Sequence, residues 1–530
     1  MRLDRSIFKK YRYNFLFAFG FLGIVFSFEF FSFLFVDNYA STLKLIRLEN
    51  ILLVLATGLV ISFMHRYVVL FVAFVLVLAS VLEVAYYMFF GSYIQAIDFY
   101  QFFIHFSEVS ESLGYEYKLL VLASLAFVMY AVVCIIFINK IDFKTHKSGY
   151  AYLILAMLLY GDVFYKYKGM NYEKYEYKLS HGIALRVLPT SDSFAFANFY
   201  GSFQYFVLRI VPNKIMDSKN KFSDTIFESP KKLNSINANI IFIIGESLGS
   251  DKMSLFGYNK NITTPKLQNR DDIYSSVVYA GGTFTKTSVA VLLNRLKYPG
   301  QTAQISKQNN CLFNLAKQNS FQTYFVSNQE SRHLTIVDNL ICKKYIDTYL
   351  SGDDLAKPLF DINLVNFLEE INFDKNNFIV LQQRGSHLPY ALQSPKSFKK
   401  LNSEYENSVL YTDFVLDRLI TKIKEQKTDK DTYIVFTSDH GEFVGERNLW
   451  GHGHFEKEIY EVPFIYFSNK DSYTDEVKNI KSHFDISNFV SKLLGYDTKI
   501  DNDEIYINGT DLDALAGYLH IKDTNITRHR

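Results

Sequence analysis

The stretch Thr437-Ser-Asp-His-Gly-Glu-Phe-Val-Gly-Glu-Arg-Asn-Leu-Trp-Gly-His-Gly-His454 gathers the pair Asp439 and His440 and two further imidazoles, His452 and His454, into one glycine-punctuated segment. Oxygen and nitrogen donors concentrated in this way suit a divalent cation or a phosphate, because such a ligand needs deprotonated donors converging on one point. The plain alternative is a polar surface loop that happens to hold three histidines. Two distant positions weigh against it: Glu246, in Gly245-Glu246-Ser247, and His387, in Gly385-Ser386-His387-Leu388-Pro389. A hydroxyl nucleophile is offered by Gly281-Gly282-Thr283-Phe284-Thr285-Lys286-Thr287-Ser288-Val289-Ala290, which runs into helix-like apolar sequence. At a helix N-terminus, unpaired N–H groups and the dipole favour an anion, which suits a hydroxyl that attacks phosphorus and then carries the phosphoryl group. For any single threonine there, a simple helix cap is the competing reading.

These residues need elements to hold them. Short apolar runs at Asn239 to Ile244, Gln322 to Val326, Asn377 to Leu381, Thr432 to Phe436 and Phe464 to Phe467 predict parallel strands buried on both faces. Between them lie helical patterns, notably Tyr405 to Lys424, where Val409, Leu410, Phe414, Leu416 and Ile420 form an apolar stripe. Strands alternating with helices predict an open α/β sheet, whose chemistry gathers at the carboxyl ends of the strands. Glu246, His387 and the Asp439–His440 pair each follow such a run. Three strand ends each bearing a metal-capable side chain are a constellation that chance loops seldom produce.

The chain is long enough for at least two domains, and its net charge of +2 argues against a nucleic-acid binder held by phosphate contacts. Apolar segments at Asn14 to Val36, Leu48 to Met64, Tyr67 to Phe90, Leu119 to Ile138 and Tyr150 to Tyr160 predict a transmembrane domain of about five helices over residues 1–165. Arg2, Arg5, Lys9, Lys10 and Arg12, then His65 and Arg66, then Lys140, Lys144 and Lys147 fall on one side of such a bundle, which the positive-inside rule makes cytoplasmic. Residues 166–215 read as a linker with an aromatic interfacial helix or a packed connector, and 216–530 as a catalytic α/β domain outside the cytoplasm. A disulfide between Cys311 and Cys342 would require that location.

Taken together, Gly-Glu-Ser, Thr-x-Thr before a helix, Gly-Ser-His-x-Pro, Tyr405-Glu-Asn-x-x-x-Tyr-Thr-Asp413, Ser-Asp-His-Gly-Glu and Gly-His-Gly resemble the membrane-bound phosphoethanolamine transferases. That family belongs to the alkaline phosphatase and sulfatase superfamily and decorates lipopolysaccharide in the bacterial envelope. The resemblance implies an alkaline phosphatase/sulfatase-type sheet, a multi-pass inner-membrane location with a periplasmic catalytic domain, and one or two zinc ions. It implies phosphatidylethanolamine as donor and lipid A or lipopolysaccharide core as acceptor. Residue by residue, it makes Glu246, Asp439 and His440 zinc ligands, Thr287 the nucleophile and a further ligand, and His387 and His452 the groups that hold the phosphoryl and protonate the leaving group. Ser107 and Glu111 keep the spacing of residues that contact the donor headgroup in the family, and His333 and His454, the latter without a family counterpart, are added as substrate-side positions. Departures from the family are the absence of a Cys before Gly282-Thr283, Phe103 where an Asn is usual, and Gln382 where the lipid A-directed members have a His. A phosphoglycerol transferase on the same fold is the nearest rival, and a non-catalytic sensor the most distant. A sulfatase would place a convertible Cys or Ser in a Cys/Ser-x-Pro-x-Arg context, which Thr287-Ser-Val-Ala lacks.

Overall fold

The computed structural model describes residues 11–20, 58–90 and 222–529 apart from 234, 427, 471, 501–502, 513–516 and 524, together with the isolated positions 55, 94, 99, 150, 199, 203, 206 and 207. The chain divides into two units, Met1–Met216 and Asp217–Arg530. In the first unit the third apolar segment forms α1 (Arg66–Phe90). The other four segments, the 166–215 connector, Ser107 and Glu111 lie wholly or largely outside the described residues. Counted over the described residues alone, no helix is long and apolar enough to cross a membrane.

The second unit is built on a seven-stranded sheet in the order β2 (Tyr274–Tyr279), β9 (Glu461–Ser468), β6 (Asp431–Ser438), β1 (Ala238–Gly245), β5 (Asn377–Gln382), β3 (Gln322–Ser327), β4 (Thr348–Leu350). Strands β6, β1, β5, β3 and β4 are mutually parallel. The sequence shows why they lie in the middle. In β1, Ile240, Phe242 and Ile244 enter one core while Ile241 and Ile243 enter the other, so both faces of the sheet are dry. The apolar run must then be continuous, not alternating.

Helices cover both faces. On one pack α2 (Thr285–Asn294), through Val289, Leu292 and Leu293, and α5 (His483–Leu493), through Ile486, Phe489 and Val490. Between these two in sequence come α3 (Ser331–Asp338) and α4 (Glu404–Lys424). α4 lays Val409, Val415, Leu416, Leu419, Ile420 and Ile423 on the opposite core. It is capped by Ser403, whose Oγ accepts from the N–H of Glu406.

The run predicted as a fifth parallel strand, Phe464 to Phe467, belongs to β9, which pairs antiparallel with β6 and with β2. A parallel return needs a crossover to the far end of the sheet. Here the segment after β6 stays at the carboxyl end, where it folds into the two-residue strands β7 (Phe443–Val444) and β8 (Trp450–Gly451) and a four-residue helical turn before re-entering. β2, β4 and a separate antiparallel sheet of β10 (Glu504–Asn508), β11 (Tyr518–Lys522) and β12 (Asn525–His529) escaped the sequence reading, because each is short or only half buried. Cys311 and Cys342 are joined in a disulfide across 31 positions of sequence.

Candidate metal and phosphoryl-transfer site

Adjacent strands carry the polar cluster out of the core together. β1 and β6 are in register through Gly245 and Ser438, so Glu246 and Asp439 emerge side by side. A carboxylate oxygen of each and one ring nitrogen of His440 all lie within 4.8 Å of one another, and all three residues are buried. His440 Nε2 stands 3.3 Å from Asp439 Oδ2 and 3.7 Å from Glu246 Oε1. His440 Nδ1 is 2.9 Å from the carbonyl of Gly441, which fixes the proton there and leaves Nε2 as the basic nitrogen facing the carboxylates.

The two carboxylates are held differently, Asp439 through one oxygen and Glu246 through both. Asp439 Oδ1 accepts from the N–H groups of Ser247 (3.0 Å) and His440 (2.7 Å), whereas Oδ2 is buried with no hydrogen-bond partner. Glu246 Oε2 accepts from the Gln329 amide at 3.0 Å, and Oε1 from the hydroxyls of Ser247 and Thr285. Ser247 takes φ 55° so that its N–H can turn toward Asp439, and the buried Tyr405 hydroxyl holds its carbonyl at 2.7 Å. The exit of β5 closes over the same point. Gly385 has φ 57°, and a Cβ there would lie 2.5 Å from the carbonyl of Glu246, so this turn needs glycine twice over.

The structure brings Thr285, and not Thr287, to the cluster. Thr287 does not reach the cluster: its hydroxyl is fully buried and donates to the carbonyls of Phe284 (2.9 Å) and Gly509 (3.0 Å), and its Oγ1 would lie 2.0 Å from a Cβ on Gly282. Thr285 does reach it. At the first position of α2, only partly buried, its Oγ1 lies 3.1 Å from Glu246 Oε1 and 3.2 Å from His440 Nε2. Two residues advance a helix by about 200°, so these hydroxyls face nearly opposite ways. The Thr-x-Thr pattern fits both Thr283–Thr285 and Thr285–Thr287, which is why sequence alone could not separate them.

His452 joins the cluster from β8, its ring centroid 4.3 Å from that of His440, and His387 stands 6.3 Å from His452. Phe284 packs edge-on against His452 at 4.5 Å. His452 Nδ1 lies 2.8 Å from Glu442 Oε2, and Glu442 Oε1 accepts from the Tyr390 hydroxyl at 2.9 Å. Burial pushes the Glu442 carboxyl up to about 7, against the lowering influence of His440 and His387. His440, Glu442 and His452 form a second group of donors close enough for a cation. Glu442 was missed in the sequence although Ser-Asp-His-Gly-Glu displays it.

The described contacts bring none of the remaining positions to the cluster. His454 is buried against Phe443 under the β7–β8 hairpin, where burial lowers its pKa to about 4. His333 lies on α3 beside Glu330, and none of its described contacts reaches the cluster. Ser107 and Glu111 lie outside the described residues.

Residues 238–496 match the sulfatase family model. The Kdo(2)-lipid A phosphoethanolamine 7''-transferase of Escherichia coli K12 is 27% identical over 257 residues, which span 44% of this chain and 44% of that protein. A phosphoethanolamine transferase EptC from an E. coli O18:K1:H7 strain is 23% identical over 435 residues, 74% of this chain and 72% of the relative. The integral membrane lipooligosaccharide phosphoethanolamine transferase A of Neisseria meningitidis superposes with a TM-score of 0.52 at 16% identity, covering 89% of this chain and 95% of that one. Residues 238–496 thus match the sulfatase family over a mostly parallel sheet, and the three relatives named above are phosphoethanolamine transferases.

Proposed function

We propose that this chain moves phosphoethanolamine from phosphatidylethanolamine to lipid A or lipopolysaccharide core by way of a covalent intermediate on Thr285. The observation that carries the reading is the Thr285 hydroxyl at the N-terminus of α2, in reach of both Glu246 and His440. The relatives' names supply the transferred group, and the apolar N-terminal sequence supplies an inner-membrane location suited to lipid substrates. The Cys311–Cys342 disulfide supports a periplasmic, oxidising setting for residues 217–530.

The donor set fits zinc: two buried carboxylates, one imidazole with its basic nitrogen turned inward, and a carboxylate oxygen, Asp439 Oδ2, that accepts no hydrogen bond among the described residues. Glu246, Asp439, His440 and Thr285 Oγ1 would hold it. When bound, zinc supplies Lewis-acid polarisation and eases deprotonation of the hydroxyl. The chain's own groups do the rest. Thr285 Oγ forms a bond to phosphorus as the phosphorus–oxygen bond to diacylglycerol breaks, and its proton passes to Glu246 Oε1. His452, its Nδ1 backed by Glu442, gives a proton to the departing diacylglycerol oxygen. His387 orients the phosphoryl oxygens. In the second half the acceptor oxygen attacks phosphorus as the phosphorus–oxygen bond to Thr285 breaks; a hydroxyl acceptor gives its proton to His452, and Glu246 returns the proton to Thr285 Oγ.

The test uses the purified full-length protein with phosphatidylethanolamine carrying a labelled ethanolamine. Mass spectrometry should find a phosphoethanolamine-sized gain on Thr285 and none after Thr285→Ala. Label on Thr287, or loading from phosphatidylglycerol instead, would overturn the reading. Envelope glycolipids from cells with and without the protein then distinguish lipid A from core as acceptor.

A further inference from the structure

The segment that presents Thr285 takes much of its order from outside itself. It begins with two glycines, Gly281 and Gly282, and the residue preceding α2, Phe284, offers no side-chain hydrogen bond to the helix start. Much of that order comes from Asn508 at the end of β10, beyond the matched residues 238–496. Asn508 is 2% exposed, and three of its four polar groups serve this segment. Its main-chain N–H and its side-chain amide both donate to the carbonyl of Gly281, at 2.9 and 2.7 Å. Its carbonyl accepts from the N–H of Thr283 at 3.0 Å, and its Oδ1 accepts from the N–H of Gly300 at 3.1 Å.

Neighbouring contacts complete the grip. The N–H of Gly281 donates to His483 Nδ1 at 2.9 Å. The carbonyl of Thr283 accepts from Gly453 at 2.9 Å, which ties the loop to the segment bearing His452. Just past Asn508, the carbonyl of Gly509 takes the Thr287 hydroxyl and Asp511 pairs with Lys286 at 2.6 Å. Residues 508–511 therefore bracket Thr285 on both sides without touching it.

We infer that Asn508 is a positioning residue for the transfer, setting where Thr285 Oγ stands relative to Glu246 and His440. The inference rests on reading Thr285 as the nucleophile. Attack on phosphorus requires near-contact alignment, and a misplacement of about 1 Å costs roughly 100-fold in rate. Within the segment, the Ser288 hydroxyl holds the Gly282 carbonyl at 3.0 Å, but the carbonyl of Gly281 and the N–H of Thr283 are held by Asn508, so loss of Asn508 should appear in the chemical step more than in lipid binding.

Single-turnover loading of Thr285 is the readout, with the full-length zinc-loaded protein and labelled phosphatidylethanolamine. Asn508→Ala should slow loading roughly 100-fold, while KM for the lipid and zinc content stay within about threefold, a small change on that same positional scale. Asn508→Asp keeps an acceptor for Gly300 but sets a carboxylate oxygen against the Gly281 carbonyl, and it should be as slow. Asn294, buried at the far end of the same helix and donating to the carbonyls of Leu340 and Ala290, is the control for general stability. Asn294→Ala should lower the thermal midpoint yet load Thr285 at close to the normal rate. Normal loading by Asn508→Ala, or losses in both variants proportional to their midpoints, would overturn the inference. Should Asn508→Ala fail to fold, Asn508→Ser, which retains the main-chain bonds, takes its place under the same criteria. Thr285→Ala separates the two levels: if it still transfers, the nucleophile reading fails and this inference with it. If it is inert while Asn508→Ala is unimpaired, only the positioning role fails.

Discussion

Glu246, Asp439 and His440 leave the ends of two central strands whose pairing runs unbroken from Ala238 with Asp431 to Gly245 with Ser438, whereas Thr285 enters the same cluster on a loop that leaves the edge strand β2. The first group is placed by sheet register and buried on every side. The second is placed by hydrogen bonds from α5, the β8 side of the hairpin and the C-terminal sheet. Under the proposed function, such a site has a rigid pole that would hold a cation and a borrowed pole that would present the nucleophile. Substitutions at the two poles should therefore fail differently, the one in metal affinity and the other in chemistry.

The largest effect is expected at the borrowed pole. Thr285→Ala should lower transfer on the order of 10⁴-fold, as deletion of a nucleophile does, with zinc content reduced less than in Asp439→Ala. Loss of the metal in Thr285→Ala equal to that in Asp439→Ala would erase the distinction between the poles. At the rigid pole, Gly385→Ala adds a Cβ 2.5 Å from the Glu246 carbonyl in a left-handed conformation. It should cost about 1–3 kcal/mol of stability and about 10- to 100-fold in zinc affinity, read by chelator competition, because the group supporting a ligand has moved. A smaller effect is expected at Thr287. Thr287→Val removes a hydroxyl bonded to two carbonyls and should cost about 1–3 kcal/mol, while transfer by the folded fraction falls less than about tenfold, since no reacting group is lost. A collapse of transfer there with unchanged stability would restore Thr287 to the chemistry.

The same contrast explains how far the sequence could be read. Strand ends are sharply marked: an apolar run stops, and the next polar residue is at the sheet edge. That made the convergence of Glu246, Asp439 and His440 legible, and it made the parallel centre of the sheet legible too. A helix start is marked less sharply, because three threonines at alternate positions satisfy the same pattern and only the φ/ψ of the turn selects among them. β9 was legible as a strand but not in direction, since direction depends on which end of the sheet the connection occupies. Asn508 and His483 could not be found at all from spacing: each acts on Gly281 from more than 200 residues away in sequence, 227 and 202 positions respectively, and neither sits in a motif that advertises chemistry.

The smallest effect on transfer should come from Asp413, which lies outside both poles and shows what a buried carboxylate does when no cation is meant for it. It sits on α4, 1% exposed, and accepts from the N–H groups of Leu267 (2.8 Å) and Lys266 (3.0 Å), tying the helix to the segment that follows β1. Burial pushes its carboxyl up to about 6 from an ordinary 3.8, and the two amides only partly offset that. A carboxyl whose folded value lies above its unfolded value holds its proton more tightly when folded. Its ionisation therefore costs stability: the cost is absent below about pH 4 and complete once the pH has passed the folded value. Asn at this position has no charge to bury and keeps one oxygen for the amides. The stability difference between Asp413→Asn and the natural chain should shift in favour of the variant by up to about 3 kcal/mol as the pH rises from about 4 to about 7, followed by thermal or denaturant midpoints at each pH. A difference that stays flat with pH would mean that the Asp413 carboxylate is solvated or paired well enough to ionise without cost. Transfer at pH 7 should be unchanged in either case, because a residue that only fastens α4 to the loop after β1 stands behind the rigid pole and touches neither the metal ligands nor Thr285.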